Sequence, residues 1–169
     1  MIFVLDASAI LNEANFAFEE GKRYLTTPSV AAEFRSMESR LLVENALKHG
    51  VLSLRAPKKE FAERVQGLVE KTGYKISKED ISIVALGLEL LDEKKDFLVL
   101  TDDFSIQNFL ALLKIPFSSA TQGEIKEVFS FLKKCPVCGK KFNAQKRLKA
   151  CPDCGVPLKG GIKKKKIGN

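Results

Sequence analysis

Two uninterrupted apolar runs stand out along the chain. Ile2-Phe3-Val4-Leu5 ends on Asp6, and Phe97-Leu98-Val99-Leu100-Thr101 ends on Asp102 and Asp103. Runs without polar alternation predict strands covered on both faces, as in the middle of a parallel sheet. Elsewhere the spacing is helical. Ser8 to Glu20 predicts a helix with Ile10, Leu11, Ala14 and Phe18 on its apolar face, followed by a short extended piece at Tyr24 to Thr27. Pro28 suits the first turn of a helix that would run to Lys48, with Val30, Phe34, Met37 and Leu41 as its buried stripe. Val51 to Leu54 predicts a strand, Lys58 to Lys71 a helix, Ser77 to Asp92 a helix, Ser105 to Leu113 a helix, and Ile115-Pro116-Phe117 an edge strand. Ile125, Val128, Phe129 and Leu132 share one face of a last helix expected over Glu124 to Lys134. Strands alternating with helices predict an α/β fold: three layers with a central parallel sheet.

In such sheets ligands bind at the carboxyl edge of the strands, where strand order reverses. Asp6 and the Asp102-Asp103 pair would both lie there, as half of a metal site. Asp6, or Ser8 after it, could instead simply cap the following helix. Glu33 falls within the stripe of Val30 and Met37, so its carboxylate must be paired, protonated or bound to a cation. Arg40 is the structural partner available to it. Asp80 lies three residues after Ser77, in the position of a capping box, and also three and four before Ile83 and Val84, on the side of the apolar crevice.

The formal charge of +7 is unevenly spread. Residues 1–132 hold 16 Lys+Arg and 20 Asp+Glu, whereas residues 133–169 hold 12 Lys+Arg and one acid, Asp153. An acidic body with a strongly basic end suits a polyanion, nucleic acid above all. The single histidine, His49, excludes acid–base chemistry by an imidazole pair, and its place before Gly50 fits a helix end. All four cysteines fall in Cys135-Pro136-Val137-Cys138-Gly139 and Cys151-Pro152-Asp153-Cys154-Gly155, two copies of one knuckle with twelve residues between Cys138 and Cys151. Paired thiolates at this spacing predict a closed tetrahedral site for one structural zinc ion, with no open position for chemistry. Lys140, Lys141, Phe142, Lys146, Arg147 and Lys149 lie between the knuckles and form the expected nucleic-acid face. The start carries no signal-peptide pattern and no apolar run is long enough to span a bilayer, so a cytoplasmic protein without membrane contact is expected.

Taken together, the chain resembles the Nob family of PIN-domain endonucleases that mature small-subunit ribosomal RNA. The resemblance rests on Val4-Leu5-Asp6 with Ser8, Thr27-Pro28-Ser29-Val30 leading to Glu33, Ser77 to Asp80, and Leu100-Thr101-Asp102-Asp103 followed by Ser105-Ile106-Gln107-Asn108. A PIN domain followed by a four-cysteine ribbon is the combination typical of that family. It implies a Rossmann-like PIN domain over 1–120, a connecting helix at 121–134, a zinc ribbon at 135–158 and a basic tail at 159–169. Large insertions between the acids are missing, as in compact archaeal-type members.

The resemblance further implies Mg²⁺ or Mn²⁺, hard cations that take carboxylate ligands and keep waters. Asp6 would be the central ligand, with Asp80 and either Asp102 or Asp103. Glu33 would ligate the ion or orient the attacking water. The implied substrate is single-stranded precursor rRNA near the mature 3′ end of the small-subunit RNA, and assembly factors are possible partners. Two alternatives stand beside this reading: a toxin-type PIN ribonuclease acting on transfer RNA, and a non-catalytic RNA-binding assembly factor. The ribbon weighs against the first, and the complete set of acids against the second.

Overall fold

The computed structural model describes residues 1–11, 16–74, 76–119, 127–143 and 148–166. The chain divides into two compact units, Met1–Val65 with Ile76–Ile125, and Gln66–Lys75 with Lys126–Asn169.

In the first unit the elements are β1 (Ile2–Leu5), α1 (Ala7–Leu11), β2 (Arg23–Thr26), α2 (Pro28–Ala31), α3 (Met37–Lys48), β3 (Leu52–Leu54), the start of α4 (Lys59–Thr72), α5 (Lys78–Asp92), β4 (Phe97–Leu100), α6 (Phe104–Leu113) and β5 (Phe117–Ser118). The five strands form one parallel sheet in the order β3-β2-β1-β4-β5. The chain therefore starts at the centre, builds towards one edge, and crosses back to build towards the other. The reversal falls between β1 and β4, which pair in register from Ile2 with Phe97 to Leu5 with Leu100. Val4, Leu5 and Val99 of the sheet are fully buried, as are Ile83, Leu86 and Leu90 of α5 and Ile106, Phe109 and Leu110 of α6.

Several predicted elements are shorter than expected. The first helix stops at Leu11; Ala14 lies outside the described residues, and Phe18 packs on Tyr24 from irregular backbone, ring centroids 5.1 Å apart. The long helix from Pro28 to Lys48 is two helices. α2 ends at Ala31, and α3 restarts at Met37 behind Ser36, whose hydroxyl accepts from the Ser39 amide. This break turns the expected stripe: Val30, Phe34, Val43 and Ala46 are buried, while Met37 and Leu41 are 80% and 52% exposed.

In the second unit the expected helix over Glu124 to Lys134 is instead strand β6 (Glu127–Lys134); residues 124–126 lie outside the description. The pattern Val128-Phe129-Phe131-Leu132 satisfies a period of two as well as one of 3.6, and eight residues of strand pairing decide between them. β6 is central in an antiparallel sheet of order β7-β6-β8, with β7 (Lys141–Asn143) and β8 (Lys159–Lys166). The expected tail is thus largely a strand: Lys159 to Lys166 pair with Lys134 to Glu127. Gly161 faces Leu132, whose Cδ1 would lie 2.8 Å from any Cβ there. No described helix is long and apolar enough to cross a membrane.

Candidate functional site

Asp6 follows β1 and is 4% exposed. Its Oδ2 accepts from Ser8 Oγ at 2.5 Å, from Thr101 Oγ1 at 2.9 Å and from the Ser8 amide at 3.3 Å. None of these bonds uses Oδ1. Burial pushes the carboxyl above the usual range, against the lowering effect of those hydrogen bonds. Asp102, after β4, is equally buried; its amide donates to Ser8 Oγ at 2.9 Å and its Oδ1 accepts from Ser119 Oγ at 2.5 Å. Ser8 and Thr101 thus join the ends of the two central strands and orient both acids. Gln107 Nε2 donates to the Thr101 carbonyl at 3.0 Å, fixing that strand end from α6.

Adjacent residues leaving a strand point apart, and here the second acid points away. Asp103 is the N-cap of α6, its Oδ1 accepting from the amides of Ser105 at 2.6 Å and Ile106 at 3.3 Å. Asp80 is observed in the first of its two expected roles, as a cap. It completes a capping box with Ser77, accepting through Oδ2 from the Ser77 amide at 2.9 Å while its own amide donates to Ser77 Oγ at 3.0 Å. Oδ1 takes no part in the box. A cluster of hydroxyls ties α5 to α2: Ser82 Oγ lies 2.7 Å from Thr27 Oγ1 and 2.8 Å from Ser29 Oγ.

Glu33 differs from expectation. It is exposed in the turn after α2, not part of a buried stripe, and Arg40 pairs with Glu44 instead, at 3.8 Å. The helix break rotates it out. Its carboxyl is still raised, by desolvation first and then by the like charges of Glu79, Asp6 and Asp80, with Arg35 opposing. Glu33 therefore belongs to the electrostatic neighbourhood of Asp6 and Asp80. Among the described residues no three of these carboxylates converge as metal ligands; what they offer a hard cation is oxygen donors and a mutual repulsion that a cation would relieve.

In the second unit the sulfurs of Cys135, Cys138, Cys151 and Cys154 lie within 4.8 Å of one another, the only set of three or more such ligand atoms so converged among the described residues. Each knuckle is closed in the same way. The Gly139 amide donates to the Cys135 carbonyl at 3.1 Å and the Gly155 amide to the Cys151 carbonyl at 2.8 Å, with φ of 70° and 68° at the two glycines. Burial acts against ionisation of Cys135, but amides of Cys138 and Val137 bring its thiol down to about 7. Cys154, in hydrogen-bond contact with Cys138 and partly buried, is pushed up to about 12. Four converging thiols with backbone donors fit one thiophilic ion.

Of the basic residues expected between the knuckles, Lys140 bonds Asp153 at 2.6 Å, Lys141 and Lys149 are exposed and Phe142 is half-buried. Lys146 and Arg147 lie outside the described residues.

A profile described as the PIN domain of ribonuclease matches residues 3–90, a span that includes Asp6, Glu33 and Asp80. The chain is 35% identical to Endoribonuclease Nob1 of Methanocaldococcus jannaschii over 97% of its own length and 79% of the relative's. It is 34% identical to Endoribonuclease Nob1 of Pyrococcus abyssi over 92% and 91%. The chain belongs to the Nob1 family of PIN-domain endoribonucleases. It is also 29% identical to Ribonuclease VapC1 of Thermoplasma acidophilum over 98% of its length, so that alignment too spans both cysteine pairs. Within this Nob1-family site, the hydroxyls of Thr101, Ser119 and Ser82 went unassigned in the sequence. Thr101 acts on an acid 95 positions away, and no local pattern marks such a pairing.

Proposed function

We propose that this chain is a divalent-metal-dependent endoribonuclease of the cytoplasm that cuts single-stranded precursor small-subunit rRNA near its mature 3′ end. The observation that carries the reading is the pair of buried acids, Asp6 and Asp102, bridged by Ser8 at the point where strand order reverses. Membership of the Nob1 family supports the RNA substrate.

In this reading Asp6, Asp80 and Asp102 hold the Mg²⁺ or Mn²⁺, and Asp103 serves α6 alone. Such an ion supplies Lewis acidity at the phosphate and makes a water nucleophilic near neutral pH. The protein's own part is positional. Ser8 and Thr101 hold Asp6 through Oδ2, which fixes its carboxylate at the end of β1. Ser77 fixes the rotamer of Asp80, and Ser119 that of Asp102. Glu33, exposed and raised, orients the attacking water or takes its proton. The four cysteines hold one zinc ion that shapes the ribbon and does no chemistry.

The test is incubation of the full chain with RNA spanning the 3′ end of small-subunit rRNA, with Mg²⁺ or Mn²⁺, against a transfer RNA panel. Metal-dependent cleavage at one position in the rRNA supports the reading. Preferential cleavage of transfer RNA would instead favour the toxin-type alternative. Because water attacks, the ends should be 3′-hydroxyl and 5′-phosphate; a 2′,3′-cyclic phosphate would make the RNA's own hydroxyl the nucleophile and sink the mechanism.

A further inference from the structure

The basic residues expected to face RNA lie between the knuckles, yet the strands outside them present a different surface. In an antiparallel sheet paired residues share a face, and so do alternate residues of one strand. Phe131 pairs with Ile162, and Lys133 pairs with both Phe142 and Gly160. Phe131, Ile162, Phe142, Lys133 and Lys164 therefore occupy one face of β7-β6-β8. Phe131 is 42% exposed and Ile162 57%. The Tyr74 ring, from the same compact unit, meets Phe131 edge-on at 4.9 Å and 63°, which fixes the Phe131 ring plane. Gly160 leaves the floor open beside them, since a Cβ there would meet nothing within 4 Å.

We propose that this face is a stacking platform for the bases of single-stranded RNA. An exposed aromatic held by a second ring, next to an aliphatic side chain and a gap, offers a flat apolar seat to any base. Charge selects the occupant. Residues 133–169 carry 12 Lys+Arg against one acid, and Lys164, exposed and on the same face as Ile162, pairs with Glu127 at 3.5 Å beside it, so a polyanion is favoured. The proposal rests on the reading above that RNA is the substrate, and adds how the ribbon unit holds it: by bases on β6 and β8, with phosphates left to the lysines.

The experiment uses the full chain carrying Asp6→Asn, so that RNA is bound and not cut. Fluorescence anisotropy would follow a short oligouridylate and an abasic oligonucleotide with the same backbone. Phe131→Ala should weaken oligouridylate binding about 5- to 150-fold, the range for loss of one base–aromatic stack. It should leave the abasic affinity and the salt dependence unchanged. Phe131→Leu, which keeps an apolar residue in β6, should lose as much, and Phe131→Trp should retain binding. Unchanged affinity in the alanine variant would overturn the proposal and leave the face for a protein partner. Equal losses on both oligonucleotides would overturn it as well, because a general effect on the sheet would then explain them. Cleavage by the unmodified chain is read separately. Phe131-dependent binding without rRNA cleavage would sink the proposed function alone, and cleavage with Phe131-independent binding would sink only the platform.

Discussion

Asp6 is held through one oxygen by Ser8 and Thr101, so changing its charge need not change its position. Asparagine can still accept those bonds through its own oxygen. Asp6→Asn should therefore cost roughly a thousandfold or more in single-turnover cleavage, the scale of several kcal/mol of lost transition-state stabilisation, with RNA affinity nearly intact. Wild-type turnover would remove Asp6 from the site. The adjacent acids make a sharper comparison. Asp102→Ala should abolish cleavage, while Asp103→Ala should cost about 1 kcal/mol of stability through the lost cap and leave most activity. Thermal melts and cleavage assays on both variants check this. The sequence shows that an acid follows each central strand, because a carboxylate after an apolar run is a local pattern. It does not show which of Asp102 and Asp103 turns inward; that depends on the hydroxyl of Ser119 seventeen residues later and on the amides of α6.

At the scale of elements, α5 carries two separate loads. Its capping box sets both the start of the helix and the rotamer of Asp80. Ser77→Ala should cost about 1 kcal/mol in melting experiments and should also lower cleavage at limiting Mg²⁺, with rescue at high Mg²⁺. A loss of stability with unchanged metal dependence would confine Ser77 to capping. Further along α5, Glu89 is buried at 1% exposure and met by Arg55 at 2.7 Å and by the Lys58 amide at 2.9 Å. Burial raises its pKa, but these partners outweigh burial and hold it below the usual range. A depressed carboxyl stabilises the fold above its unfolded pKa, and that contribution is lost as pH falls through the folded value. Arg55→Ala should cost about 1–3 kcal/mol at neutral pH, and the deficit should shrink on acidification below about pH 4. A deficit constant with pH would place Arg55 in packing alone. The periodic pattern foretold α4, α5 and α6 well, since each is long and amphipathic or buried. It missed the break at Ala32 to Ser36, where no proline or glycine warns of it, and it read β6 as helix because the partner strand was hidden in a lysine run.

For the whole chain, the charge split visible in composition is realised as a sheet with lysines along one strand. If Lys164 contacts a phosphate, Lys164→Gln should reduce the slope of log affinity against log salt by about 0.7, the share of one contact to a single strand. Binding titrations at several salt concentrations measure this, and an unchanged slope would move the phosphates elsewhere. The same strand has another consequence. β6 ends beside Cys135 and β8 starts soon after Cys154, so their ladder gathers the two ends of the cysteine module whether or not an ion is present. Much of the chain entropy of assembling four ligands is then met by backbone pairing before any metal arrives. In hydrogen exchange after chelation, the amides of Gly139 and Gly155 should lose protection early, whereas those across β6 and β8 should keep theirs, so that the ion returns to a folded clasp and rebinds without a folding delay.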